Sequence, residues 1–168
     1  MKLLSLALVA LLAADEPTHT VVVELDNVCG RDCVAILEKA LGAIDGVKTA
    51  EMYGDKFHFK LEVLDTKAVL PSGVLKVTDK IRKDSKGEED FPLLSLESTL
   101  AGTVSGNEFT ARGSGQKYTL NPGEALKAFL AAGKTKLTLT GAVTEAKEKD
   151  GVRPLPVLEV REAKETPQ

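Results

Sequence analysis

The chain has 168 residues, 43% of them hydrophobic and 4% aromatic, with no tryptophan. That suffices for one medium domain or two small ones, with cores of Val, Leu, Ile and Ala. A formal net charge of -3 leaves no basic excess to collect nucleic acid by counterion release. With two histidines and no nucleophile–base or paired-carboxylate arrangement, the chain reads as a protein that is not an enzyme.

Residues 1–14 (MKLLSLALVALLAA) have the layout of a secretory signal peptide: Lys2, a mostly apolar run, then Ala13 and Ala14. The run is too short to span a bilayer. The expectation is export, periplasmic or secreted, with no stable membrane insertion. Residues 20–25 are β-branched and apolar, the signature of a strand. Asn27 or Asp32 is then placed to cap a helix in which Val34, Leu37, Ala40, Leu41 and Ile44 recur at helical spacing. Gly42 is its weak point, and Asp45-Gly46 ends it. Strands are expected at 47–53 and 56–64, joined by a tight turn at Gly54-Asp55.

In the second of these, Phe57, Phe59, Leu61 and Val63 form an apolar face against wet His58, Lys60 and Glu62. The three apolar residues after Phe57 and Phe57 itself are expected to be buried against Leu37, Leu41 and Val77. A second helix fits 70–81, with Pro71 in its first turn and Val74, Val77 and Ile81 inward. The charged run 82–90 (RKDSKGEED) reads as a solvated loop, and 91–97 as a fourth strand. Short strands follow at 100–105, 108–112 and 116–120. A helix at 122–132 buries Leu126, Phe129 and Leu130, and two strands lie at 136–146 and 155–162. The last residues, from 163 or 164 to 168, read as a tail.

Cys29 and Cys33 are the only cysteines, and they stand where the first strand runs into the first helix. Thiolates are soft ligands for Cu(I), Hg(II) or Zn(II), and a helix start lowers thiol pKa. Arg31 adds positive charge, while Asp26 and Asp32 oppose it. On a helix the four-residue spacing rises about 6 Å, which also suits a disulfide, and export favours oxidation. Thiol redox catalysis has less support, because it usually uses Cys-x-x-Cys. His19 and His58 read as solvent-exposed histidines without clustered partners, and Met52 as a packing residue.

The run Cys33-Val34-Ala35-Ile36-Leu37-Glu38-Lys39-Ala40-Leu41, then Ile44-Asp45-Gly46-Val47 and the hairpin to Val63, resembles a heavy-metal-associated (HMA) domain. The resemblance covers about residues 20–81. That family includes copper chaperones, periplasmic mercury-binding proteins and the N-terminal modules of copper-pumping ATPases. It implies a ferredoxin-like βαββαβ domain, placed here at 18–97, and a soft-metal site at Cys29 and Cys33. The implied cargo is Cu(I) or another soft ion, handed to a protein partner. The family's Met-x-Cys-x-x-Cys loop is altered: Gly30 stands where its first cysteine falls, and the spacing here is Cys-x-x-x-Cys.

The later order, strand-strand-strand-helix-strand-strand, is that of a small OB-like β-barrel at 98–163. The fold class is therefore expected to be α+β. Phe109 and Tyr118 are the only aromatics on the barrel strands, which speaks against nucleic acid as a partner. Protein docking or spacing is the expected role of this half, by fold analogy. A single long sheet continuing from Phe91 is the alternative architecture. For the whole chain, the two functions in view are an exported Cu(I) carrier or scavenger and a non-catalytic interaction protein with a Cys29–Cys33 disulfide.

Overall fold

The computed structural model describes residues 16–54, 57–148 and 151–166; the expected signal peptide lies outside them. In chain order the described elements are β1 (Thr18–Leu25), α1 (Arg31–Gly42), β2 (Val47–Tyr53), β3 (His58–Leu64) and α2 (Pro71–Asp84). They continue with β4 (Leu93–Ser105), β5 (Glu108–Ala111), β6 (Lys117–Asn121), α3 (Glu124–Ala131), β7 (Lys136–Thr144) and β8 (Val157–Glu165). The chain is α+β.

Alternation decides the first half. Val21, Val23 and Leu25 of β1 and Phe59, Leu61 and Val63 of β3 point to one face and are buried. The two strands pair antiparallel, Val21 opposite Leu61 and Val23 opposite Phe59. With β2 outside β3 and β4 outside β1, the order is β2-β3-β1-β4, antiparallel throughout. Cys33, Leu37 and Leu41, four residues apart, form the stripe by which α1 covers this face. Full burial of each such leucine contributes roughly 1.5–3 kcal/mol.

Two expected core residues are corrected. Phe57 lies before β3 and is 41% exposed. Val77 is only partly buried, because the inward stripe of α2 is Val74 and Thr78, with Ile81 packed beside it. Helix α2 also runs to Asp84, so the first three residues of the expected charged loop are helical. Exposed Arg82 and Lys83 suit the end of a helix, whose carbonyls carry negative partial charge.

The expected break between strands 91–97 and 100–105 is absent. Leu93–Ser105 is one strand of 13 residues. Its first part pairs with β1, its last part with β5, and its middle with β7. Strand β4 thus belongs to both the four-stranded sheet and a five-stranded barrel. Around the barrel the order is β4-β5-β6-β8-β7, closed by β7 on β4. The β6–β8 pairing is parallel, and α3 connects β6 to β7. Leu100, Val104, Phe109, Tyr118, Leu120, Leu137, Leu139 and Leu158 fill the interior, with Leu126 of α3. At the β7–β8 irregularity between Thr140 and Gly141, a side chain at Gly141 would strike the Glu159 carbonyl. Glycine there lets the two strands close and bend. Strand β8 extends to Glu165, so the expected tail starts within a strand. No helix among the described residues is long and apolar enough to cross a membrane.

Candidate functional site

The corner between β1 and α1 is shaped by three short-range constraints. The Asp26 N–H donates to the Pro92 carbonyl at 2.9 Å, which ties the end of β1 to the approach of β4. Asn27 adopts φ 61°, a left-handed conformation that its short amide side chain tolerates. Its N–H donates to Asp26 Oδ1 at 2.8 Å. Gly30 has φ 131°, a region that side chains strongly disfavour. The turn thereby reverses the chain and begins α1, with Val34 N–H on the Gly30 carbonyl at 3.0 Å.

Gly30 is the N-cap of α1, and no side chain makes a capping hydrogen bond. The expected caps Asn27 and Asp32 are thus corrected. Asn27 lies too far back, and Asp32 sits inside the first turn.

Cys29 and Cys33 are joined in a disulfide, with Cα atoms 5.7 Å apart. The separation is close to the rise of about 6 Å expected from the spacing. Only Cys33 lies on the helix, however: Cys29 precedes the N-cap, and the bend at Gly30 brings it alongside. The two sulfurs have different surroundings. Cys29 is on the exposed loop, whereas Cys33 is 2% exposed and belongs to the core with Val28 and Leu37.

Beside the disulfide lies a cavity of about 250 Å³, lined by Asn27, both cysteines, Glu88, Glu89, Asp90 and Phe91. The last four come from the α2–β4 loop. That loop is held by Ser85, whose Oγ accepts the Glu89 N–H at 3.1 Å and donates to the Arg82 carbonyl at 3.2 Å. Phe91 anchors it at 2% exposure. The carboxylates make this rim negative. They attract cations and oppose formation of thiolate, while the free N–H groups at the start of α1 favour it. Among the described residues no group of three or more His, Cys, Asp or Glu side chains is arranged to hold a metal ion. Any ion held here would rest on two sulfurs.

The acidic rim was not legible as part of the site. Residues 88–90 read only as a solvated charge run, and nothing local in them points toward Cys29.

The histidines lie elsewhere. His19 is not solvent-exposed as expected: its side chain is 7% exposed, with Nδ1 3.4 Å from Asp65 Oδ1. Burial lowers its pKa, against the raising effect of the Asp65 charge and hydrogen bond. It sits at the end of β1 remote from the cysteines, opposite Val63. His58 is half-exposed, on the sheet face away from the helices, with Nε2 3.4 Å from Glu24 Oε1. Ser95 Oγ donates to the other oxygen of Glu24 at 2.9 Å. The carboxylate, not the imidazole, faces the serine hydroxyl, so this trio does not have the serine–histidine–carboxylate order of a nucleophilic triad.

Met52, expected to pack, is 45% exposed, and its N–H donates to Glu38 Oε1 at 2.9 Å. That contact covers part of the open edge of β2. Phe109 and Tyr118 are inside the barrel, ring centroids 6.3 Å apart, and offer no surface for stacking bases.

Comparison with protein-family models finds no match for this chain, and comparison with curated proteins and with solved structures finds none either.

Proposed function

We propose that the protein is an exported, non-catalytic soft-metal-binding protein, a Cu(I) carrier or scavenger, with Cys29 and Cys33 as ligands. The observation that carries this reading is the meeting of both sulfurs at the β1–α1 corner, one exposed and one buried. The sheet order β2-β3-β1-β4, with α1 and α2 as its crossovers, supports a ferredoxin-like assignment for 18–97, the fold that the HMA resemblance implies. The order β4-β5-β6-β8-β7, with α3 after β6, supports an OB-like barrel that shares β4.

The disulfide is the oxidised, metal-free form. Reduction by an external dithiol takes two electrons and two protons into the pair and leaves two thiols. Cu(I) then displaces both protons. Two thiolates around a linear ion need sulfurs roughly 4.5 Å apart, from about 2.3 Å per bond. Cys33 is held by the core, so Cys29 makes the movement. Its neighbour Gly30 has open space around it and no side chain to hinder the loop. The acidic rim at Glu88, Glu89 and Asp90 favours a cationic cargo and a receiving partner with a basic surface.

A second reading is favoured by the disulfide itself: a structural bond in a non-catalytic interaction protein. The two readings separate after anaerobic reduction. A carrier takes up one Cu(I) per chain in competition with a colorimetric chelator, and loses it in Cys29→Ser and in Cys33→Ser. Reduced protein with two titratable thiols and no uptake of Cu(I), Hg(II) or Zn(II) removes the metal reading. Export is tested separately. N-terminal sequencing of protein from its native host should begin near Asp15, and a chain beginning at Met1 refutes it.

A further inference from the structure

Like charges tend to be kept apart or neutralised, and this acidic chain has carboxylates to spare: 25 against 22 Lys and Arg. Around the barrel Lys117, Lys127, Lys134, Arg161 and Lys164 each meet a carboxylate within 4.0 Å. Arg112 and Lys136 do not, among the described residues. Yet these two cations line the same depression, a cavity of about 590 Å³ on the outer wall of the barrel.

Strand register explains how they converge. Thr103 of β4 stands opposite Thr110 of β5 on one side and opposite Lys136 of β7 on the other. Directly paired residues project to the same face. Thr110, Thr103 and Lys136 therefore form a row across three strands, pointing away from the buried Phe109 and Leu137. Arg112 is brought alongside by its N–H on the Ala101 carbonyl at 2.7 Å. Thr166 completes the lining, its N–H on the Lys136 carbonyl at 3.3 Å.

Among the described residues the lining offers two positive charges and three hydroxyls, without a carboxylate. Arginine matches the two oxygens of a carboxylate or phosphate, and lysine adds a point charge. Threonine hydroxyls both donate and accept, as a polyol requires. The volume falls within the roughly 300–1,000 Å³ of small-molecule sites and exceeds the need of a bare inorganic anion. Among the described lining residues there is no aromatic ring on which a nucleobase would stack.

We propose that this depression is a second binding site, independent of the cysteines, for a small hydroxylated oxyanion: a sugar phosphate or a sugar acid. The anionic group sits between Arg112 and Lys136, and the hydroxyls meet Thr103, Thr110 and Thr166.

The test is amide-detected NMR titration of the folded full chain at constant ionic strength. Glucose 6-phosphate and glucuronate are the probes, and glucose and sodium chloride the controls. The expected result is saturable shifts at residues 101–103, 110–112 and 136–138 with at least one probe and neither control. Saturation by one probe alone assigns the oxyanion to that class. Arg112→Gln and Lys136→Gln, made singly on this exposed surface, should each weaken binding about tenfold, as loss of a charge-assisted contact predicts. Their other amides should be unmoved, which shows that the fold is intact. The proposal is overturned if neither probe saturates, if glucose or chloride gives the same shifts, or if both variants bind like the parent.

Discussion

The Glu145 carboxylate, at the end of β7, accepts the Ser72 N–H at 2.6 Å in the first turn of α2. A residue of the barrel thereby satisfies one of the free N–H groups of a helix that covers the other sheet. The first turn of α2 has no acidic residue of its own and no side-chain cap. Glu145 supplies both the acceptor and the negative charge that a helix N-terminus favours. Arg153 Nη2 approaches the second Glu145 oxygen at 3.3 Å. The same charge, after burial itself, helps to push the Tyr118 hydroxyl pKa upward.

Glu145→Ala should therefore cost about 1 kcal/mol, the usual scale for a lost cap. Glu145→Gln keeps an acceptor and should cost less. Urea unfolding of the two variants checks the order. Hydrogen exchange should show the loss concentrated at the first turn of α2, and uniform exchange would contradict the capping role.

Opening the disulfide should also be measurable. The bond closes a loop with a sequence separation of 4 residues, for which loop-closure entropy gives about 2 kcal/mol. The asymmetric burial makes a sharper prediction. Cys33→Ser puts a hydroxyl into the core and should cost about 1 kcal/mol more than Cys29→Ser, on the exposed loop. Equal losses in the two variants would contradict the burial of Cys33.

Stability should fall on mild acidification through His19. Its pKa in the folded protein lies below the ordinary 6.5, chiefly because it is buried. Below 6.5 the unfolded chain takes up a proton that the folded chain still refuses. The stability contributed by the neutral ring is thus present above that value and lost as pH falls through the lowered folded pKa. Asp65 works in the opposite direction and limits the loss. Unfolding midpoints at about pH 7.5 and about pH 5.5 should differ in this sense. His19→Gln should flatten the difference.

Phe59 and Phe57 provide a test of register. Phe59 is fully buried, and Phe59→Ala should cost roughly 3–5 kcal/mol. Phe57, 41% exposed, should cost under about 1 kcal/mol when replaced by alanine. In urea titrations, a loss for Phe59→Ala as small as that for Phe57→Ala would mean that β3 presents its other face, with His58 and Lys60 inward.

The features legible in the chain are those decided within a few residues. Alternation along β3 put Phe59, Leu61 and Val63 on one face, and the four-residue recurrence of Leu37 and Leu41 marked the stripe of α1. The nearness of Cys29 and Cys33 was equally local, since only the Gly30 corner and the first residues of α1 separate them. Tertiary structure decided the rest. Segment 93–105 is one strand because β1, β7 and β5 pair along it in succession, and Ser98 is buried where β1 and β7 both flank it. Helix α2 continues through charged residues that are as well solvated on a helix as in a loop. His19 is buried because Asp65, 46 positions later, meets it at the end of β3. The acidic rim beside Cys29 and the paired cations of Arg112 and Lys136 arise in the same way. Charges distant in sequence become neighbours only when the strands and helices that carry them have packed.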